Sequence, residues 1–324
     1  MSGVLRWPVT FVRVLRNVLF NLIDPPVLVL TYHRVTTLQS DPQFLAVTPQ
    51  HFRAHLQFLK KRFPLVRFAE DWSNIKKPAV AITFDDGYAD MALEALPVLE
   101  EEGVPATFFV STGFIGKDKE FWWDEMERLV LGDWSFPEKF ELKDDRFGKS
   151  WLTGTAAERH SLYEALLLLM KEVGSLRREQ WLMQLRQWAS SGEKWREFNR
   201  HLTVEELRCL GRSKWADVGA HTVTHTPLSS LSIAEQRKEI EESKRHLEAW
   251  LGREITLFSY PFGLRCDYTQ ETAALCRKAG FTKAAANFPG QCHRWTDPYQ
   301  IPRLVVRNWP IEVFEKKLRR FWIV

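Results

Sequence analysis

Apolar residues in this chain gather in short unbroken runs, at 27–32, 80–84, 105–110, 255–260, 281–286 and 301–306. Runs of this length with apolar side chains on both faces read as strands buried on both sides, as in parallel α/β sheets. A shorter strand is expected at 65–68. Between the runs the spacing turns helical. Thr48 with Pro49 opens one helix, 88–102 forms another, and charged amphipathic patterns cover 232–251 and 269–279, stopped by Gly252 and Gly280. This alternation of strand and helix predicts a parallel sheet. It breaks over 117–213, where helical patterns at 156–173 and 176–190 come with little strand. Seven tryptophans fall between Trp122 and Trp195 in that stretch. It reads as a helical, Trp-rich insertion over the C-terminal mouth of the sheet, with its tryptophans expected mainly in its own core.

Composition adds bounds. The 324 residues suit one α/β domain with an insertion, and 45% hydrophobic residues can bury a large core. A net charge of +4 is too mild to argue for nucleic-acid binding. The four cysteines (Cys209, Cys266, Cys276, Cys292) form no CxxC pair and no disulfide framework, which fits a reducing, cytoplasmic setting. In 4–23, Arg6, Arg13 and Arg16 interrupt the apolar residues, so the stretch is neither a secretory leader nor a membrane span. It reads as a basic amphipathic helix that either docks on the sheet or lies on an anionic membrane surface. The basic and aromatic residues of 316–324 favour the membrane, on its inner face. The expected division is therefore an N-terminal helix (1–23), an α/β domain in two pieces (24–116 and 214–324) and the insertion (117–213).

Three stretches carry candidate chemistry. The run Val80-Ala81-Ile82-Thr83-Phe84 ends in Asp85-Asp86-Gly87, which would place two carboxylates at the C-terminal end of a strand, where α/β folds keep their chemistry. Adjacent carboxylates repel, and a bound cation on one would leave the other free as a base; capping of the next helix is the plainer alternative. Val218-Gly219-Ala220 ends in His221-Thr222-Val223-Thr224-His225, whose i, i+4 spacing puts both imidazoles on one side of a helical turn, a metal-ligand arrangement. His51 and His55 share that spacing inside an amphipathic helix with no strand feeding it, and are not expected to bind metal. The third stretch is Phe258-Ser259-Tyr260-Pro261-Phe262-Gly263.

In this order the three stretches resemble the motifs of the polysaccharide deacetylase (NodB-homology) family: Thr83 to Gly87 the first, His221 to His225 the second, and Tyr260 to Gly263 a variant of the third. The resemblance covers most of 27–115 and 214–306. It implies an α/β fold, a distorted (β/α) barrel, with one divalent metal, zinc or another first-row ion, on Asp86, His221 and His225. It implies Asp85 as the base that activates water and the Phe262 N–H as a donor to the oxyanion. No Leu-x-His stands near the C-terminus, where many members keep their catalytic acid. Leu30-Thr31-Tyr32-His33-Arg34 instead looks like the permuted arrangement of biofilm-polysaccharide deacetylases, which assigns the acid to His33. The family's Arg-Pro-Tyr arginine is also absent, and Arg303 is the candidate to supply its charge beside Asp85, grouped with Phe262 on the substrate side. The function implied is metal-dependent removal of an N-acyl, chiefly N-acetyl, group from a sugar of a surface polysaccharide, lipopolysaccharide or lipid-linked precursor. The rivals are a deformylase or amidase acting on a lipid-linked aminosugar or other small amide, and a silent glycan-binding barrel. Insertion tryptophans stacking on sugar rings are the alternative to their core role.

Overall fold

A computed structural model describes residues 17–133, 135–190 and 195–323. Of the expected N-terminal helix, residues 1–16 therefore lie outside the described residues. A helix over 17–23 (α1) ends before Pro25 and Pro26, and β1 (Val27–Tyr32) follows. β2 (Arg34–Val35) and β3 (Ala46–Val47) make a small parallel pair beside its end. In α2 (Pro49–Arg62) the Thr48 side chain accepts from the His51 N–H and Pro49 takes the first position, where a missing N–H costs nothing. Next come β4 (Ala79–Phe84), a π-helical turn (Met91–Ala95) running into α3 (Leu96–Glu102), and β5 (Ala106–Val110). Then follow α4 (Trp122–Leu131), the hairpin β6 (Lys139–Asp144) and β7 (Phe147–Leu152), α5 (Ala156–Lys171), α6 (Ser175–Ala189) and α7 (Val204–Arg212). The chain closes with β8 (Ala216–Ala220), α8 (Ile233–Leu251), β9 (Leu257–Ser259), α9 (Gln270–Lys278), β10 (Lys283–Ala285), β11 (Leu304–Val305) and α10 (Ile311–Ile323).

Seven strands form one sheet in the order β10-β9-β8-β5-β4-β1-β11, with every pairing parallel. Leu304 pairs with Leu30 of β1 while Ile301 bridges to Ala285 of β10. The 301–305 segment thus bonds to both ends of the row, and the sheet curls into a distorted (β/α) barrel. Alternate residues of β1 and β4 go to different cores. Val27, Val29, Ala79 and Ala81 join Phe109, Leu257 and Ala285 in a small cluster with no helical residue, which fills the barrel interior. Leu28, Leu30, Val80 and Ile82 join the larger cluster beneath the helices. Side chains alternate across a strand, so only runs apolar at every position can supply both.

Several expectations shift. The strand at 65–68 reduces to one parallel bridge, Leu65 to Val80, because Pro64 offers no N–H ahead of it and the chain turns from Arg67 to Glu70 behind it. The 117–213 stretch holds the β6–β7 hairpin as well as helices. In β6, Phe140 and Leu142 are buried while their neighbours point outward, a period-two pattern in a run dense with charge. Its side chains form a separate cluster containing Trp122, Trp123 and Trp181, with Trp151 and Trp188 packed on it. The C-terminal helix does not turn its aromatics outward. Phe314 and Leu318 are buried, Phe321 and Trp322 pack on the main core, and Trp322 stacks on Phe63 at 5.3 Å. Among the described residues, no helix is long and apolar enough to cross a membrane, and all four cysteines are free thiols.

Candidate active site

Parallel strands bring their C-terminal ends to one mouth, and the register here aligns them closely. Tyr32 is opposite Phe84, Phe84 opposite Phe108, and Val110 opposite Ala220. His33, Asp85, Ser111 and His221 therefore follow directly from four neighbouring strands. The ladder continues past the strands. Asp85 N–H donates to the Tyr32 carbonyl, Ser111 N–H to Asp86, Thr112 N–H to Thr222 and Gly113 N–H to Val223. A Cβ on Gly113 would stand 2.5 Å from the Val223 oxygen, so only glycine permits this approach.

The backbone is bent to point the side chains inward. Six described non-glycine residues have positive φ, and Asp86 (87°), Thr222 (64°), His225 (53°) and Phe262 (59°) are four of them. Such conformations cost on the order of 1–3 kcal/mol each and persist where the surroundings impose them. Gly87, at φ 105°, completes the turn after Asp86. Neither aspartate caps the following helix, which begins at Met91 after an uncapped Asp90. His221 and His225 are not on a helical turn either. They flank an irregular loop held from α8, where Glu239 accepts from Val223 N–H (2.8 Å), Thr224 N–H (2.9 Å) and Thr224 Oγ1 (2.8 Å). Glu239, one charge among many in the amphipathic pattern over 232–251, is thus a support of this loop. Thr222 Oγ1 accepts from the His225 N–H and closes it.

Asp86 Oδ1 lies 3.1 Å from His225 Nε2 and 3.6 Å from His221 Nε2. One ligand atom from each residue falls within 4.8 Å of the others. The donor set fits a divalent ion. His221 Nδ1–H must donate to the Ser259 carbonyl at 2.7 Å, because a carbonyl only accepts, which leaves Nε2 as the free lone pair. Asp86 is 3% exposed and has no lysine or arginine partner among the described residues. Burial alone would raise its carboxyl; contacts with His221 and His225 outweigh that and hold it well below the usual range. Burial lowers the His225 imidazole, with Asp86 opposing.

Asp85 is held differently. Arg303 is 1% exposed and grips it with a fork, Nη1 to Oδ1 at 2.8 Å and Nη2 to Oδ2 at 2.5 Å. The other guanidinium bonds run to Thr83, Ser259 Oγ and the Ala286 carbonyl. Burial pushes the Asp85 carboxyl up, but the Arg303 charge outweighs it and the net direction is down. Arg303 therefore lies beside Asp85, but it is sealed beneath the carboxylate with its donors committed, and it does not reach a substrate. Phe262 sits at the rim with its ring 4.9 Å from that of His225, and its N–H bonds to no described residue. His33 is buried and its Nδ1 has no hydrogen-bond partner among the described residues. Burial lowers its pKa while the Asp86 and Asp85 charges act against that. The His51/His55 pair is occupied elsewhere, His51 on Asn308 and His55 between the Tyr32 hydroxyl and the Trp309 carbonyl.

Residues of 117–213 close one side of the site, with no motif to announce them. The Trp123 ring lies 4.8 Å from His225, and its Nε1–H donates to the Tyr88 hydroxyl, which donates to Asp124 at 2.6 Å. Burial pushes the Asp124 carboxyl up to about 7. Lys171, at the end of α5, pairs with Asp267 at 2.7 Å with its ammonium 4.6 Å from the Phe262 ring centre. Asp267 in turn accepts from the Leu264 N–H and fixes the loop after Phe262. Arg34 reaches from the end of β1 to Asp90 and Asn199 and ties the barrel to this segment.

A curled parallel barrel with carboxylates and imidazoles at its C-terminal mouth defines an α/β enzyme scaffold. The sequence model of polysaccharide deacetylases matches residues 73–136 and 186–284, half of the chain, and this chain belongs to that family. The break in the match covers the hairpin, α5 and most of α6. YxkH of Bacillus subtilis (strain 168), which carries a polysaccharide deacetylase name, is 23% identical over 86% of this chain and 70% of its own length. The fold is similar to the Streptococcus pyogenes deacetylase PplD in complex with acetate (TM-score 0.57, 15% identity, 90% of this chain and 98% of that one). It is also similar to IcaB from Ammonifex degensii (TM-score 0.58, 17% identity, 93% and 98%).

Proposed function

We propose that this deacetylase-family chain is a metal-dependent hydrolase that removes an N-acyl, chiefly N-acetyl, group from a sugar of a surface polysaccharide, lipopolysaccharide or lipid-linked precursor. The carrying observation is the contrast between two adjacent buried aspartates. Asp85 has a fixed guanidinium partner, whereas Asp86 faces only two imidazoles and needs a cation. Asp86, His221 and His225 would hold one divalent ion, zinc by donor type, and such an ion makes water more acidic and polarises an amide carbonyl. Asp85, kept ionised and immobile by Arg303, takes the proton from the attacking water. The Phe262 N–H, aimed by its left-handed backbone and unspent on other bonds, donates to the developing oxyanion. His33 delivers a proton to the departing amine from the neighbouring strand end. Residues 117–213 act as an insertion that walls the site through Trp123 and Lys171. Acetate release from N-acetylated glycans, measured with and without a chelator, tests the reading; undiminished release after complete metal removal overturns it.

Membrane docking from the cytoplasmic side belongs to the same proposal. Leu22 and Ile23 at the end of α1 are 78% and 65% exposed, an unpaired apolar edge that suits an interfacial position. The inward-facing aromatics of α10 leave that role to the N-terminal segment.

A further inference from the structure

A cavity of about 820 Å³ lies between α4, α6 and the 113–120 loop, apart from Asp85, Asp86 and His33. It shares Val223 and Thr224, the middle of the histidine loop, as one wall. Its charges are unbalanced in a particular way. Three of its acids are committed: Glu120 to Arg128 (2.7 Å) and Arg196 (2.6 Å), Glu125 to Arg186 (2.7 Å), and Glu179 to the same Arg186 (2.6 Å). Three cations on the wall have no carboxylate partner among the described residues: Lys117, Lys119 and Arg178. Asp118, on the exposed loop, is the one uncommitted acid that offsets them.

Arg178 is the decisive residue. It is 3% exposed, yet its only hydrogen bonds among the described residues are Nε to the Met170 carbonyl and Nη2 to the Val173 carbonyl, both 2.8 Å. Its guanidinium covers the Trp122 ring at 4.8 Å, and Nη1 bonds to no described residue. Burial lowers its pKa to about 10, with the Glu239 charge acting against that without an ion-pair contact. Buried arginines are ordinarily paired, and a cavity wall holding donors without acceptors has the chemistry of an anion site. Half-buried Trp195 adds an aromatic face on the same wall. The volume is within the ~300–1,000 Å³ usual for small-molecule sites.

We propose that this cavity binds an acidic sugar, with its phosphate or carboxylate on Arg178, Lys117 and Lys119 and its ring against Trp195. The role of the ligand, an acidic neighbour of the residue being deacylated, rests on the function proposed above; the binding itself does not. The test is a titration of the metal-loaded full chain, followed by tryptophan fluorescence and calorimetry, with glucose 1-phosphate, glucuronate, glucose and inorganic phosphate. At least one acidic sugar should bind saturably and at least tenfold more tightly than glucose or inorganic phosphate, and which one does so identifies the anion. Chelation should leave that binding unchanged, since no metal ligand lines the cavity. Arg178→Gln should weaken it about tenfold or more, as for loss of a charge-assisted bond. The surface pair Lys117→Gln with Lys119→Gln should weaken it severalfold without burdening the fold. Binding of neither acidic sugar, equal binding of glucose or inorganic phosphate, loss on chelation, or unchanged affinity in the lysine variant would each overturn the proposal. None of these readings uses turnover, so an active deacylase with an empty cavity and an inactive chain with a filled one are distinguishable results.

Discussion

Arg303→Met is the perturbation that most directly probes how the site is held. The substitution roughly preserves volume and removes the guanidinium donors now on Asp85, Thr83, Ser259 and Ala286, leaving Asp85 only the Ser259 hydroxyl at 3.3 Å. Both members of the pair are about 1% exposed, so the orphaned carboxylate cannot turn to water. Breaking one half of a buried pair costs ~3–5 kcal/mol. The pH dependence should also change sign, best read in metal-stripped protein. In the native chain the Asp85 carboxyl sits below its ordinary value, so its stabilisation is present above that value and fades as pH falls through the folded pKa. Without Arg303, burial is left to push the carboxyl up, so the variant should lose stability as pH rises from the ordinary carboxylate value. Denaturant unfolding at pH 5 and pH 8 measures this: the native protein should keep its Asp85 contribution at both, and the variant should be weaker at pH 8. In metal-loaded protein, a base no longer oriented and held ionised by the Arg303 fork should cost ~10²–10⁴ in turnover. Arg303→Lys should recover part of both losses, because it restores charge but not the fork. A variant that unfolds like the native protein at both pH values and turns over normally would refute the role given to this pair.

Four further outcomes follow from the site. Asp86→Asn and His221→Ala should empty a site holding about one divalent ion per chain, whereas Asp85→Asn and His51→Ala should keep the metal and only Asp85→Asn should lose turnover; metal analysis of the purified variants decides this. His33→Ala should fold, retain metal and lose ~10²–10⁴ in amide turnover while activated esters, whose leaving group needs no proton, suffer far less; equal losses on both substrates remove the acid role. Lys171→Met should lower turnover about tenfold with little change in KM, and Lys171→Arg should restore most of it, since the interaction supports the loop that carries the Phe262 N–H. Full-length protein should co-sediment with anionic vesicles less as salt rises, and removing 1–22 should weaken this while metal content stays; salt-independent or absent binding ends the membrane argument.

The barrel was legible because strands buried on both faces read as unbroken apolar runs, and β1, β4 and β5 stand where those runs predict. The strand-end aspartates and histidines were legible because short polar motifs after such runs are few. What escaped the sequence has a common physical cause: it depends on pairs far apart in the chain. Nothing near Glu239 distinguishes it from the charges beside it on α8, yet it holds the loop of the two histidines. Ser259 reads as one polar residue in a strand, although its carbonyl orients His221 and its hydroxyl meets Asp85 and Arg303. Helical spacing gave the wrong local shape for 221–225, since a loop with positive φ at Thr222 and His225 places two imidazoles together as well as a helix does. The β6–β7 hairpin was obscured because a two-stranded element packed on one face carries only two or three apolar residues per strand, too few to stand out among Lys139, Glu141, Lys143 and Asp144.

The stretch between β5 and β8 touches the site from outside the barrel at two places, α4 within the family match and α5 within its interruption. Barrel strands can deliver Asp85, Asp86, His33 and His221 by register alone, because each follows directly from a strand end. His225 and Phe262 stand on loops and need lateral support. The chain supplies it from α4 and α5, with the Trp123 ring on His225 and the Lys171–Asp267 pair behind Phe262. Trp123 is fixed in turn by Tyr88, one residue after Gly87, and Tyr88 by Asp124. Support therefore runs in a closed loop from the aspartate motif through α4 to the histidine motif. A change in α4 or α5 that leaves every motif residue intact should still move His225 and the Phe262 N–H, and so should alter turnover before it alters the barrel.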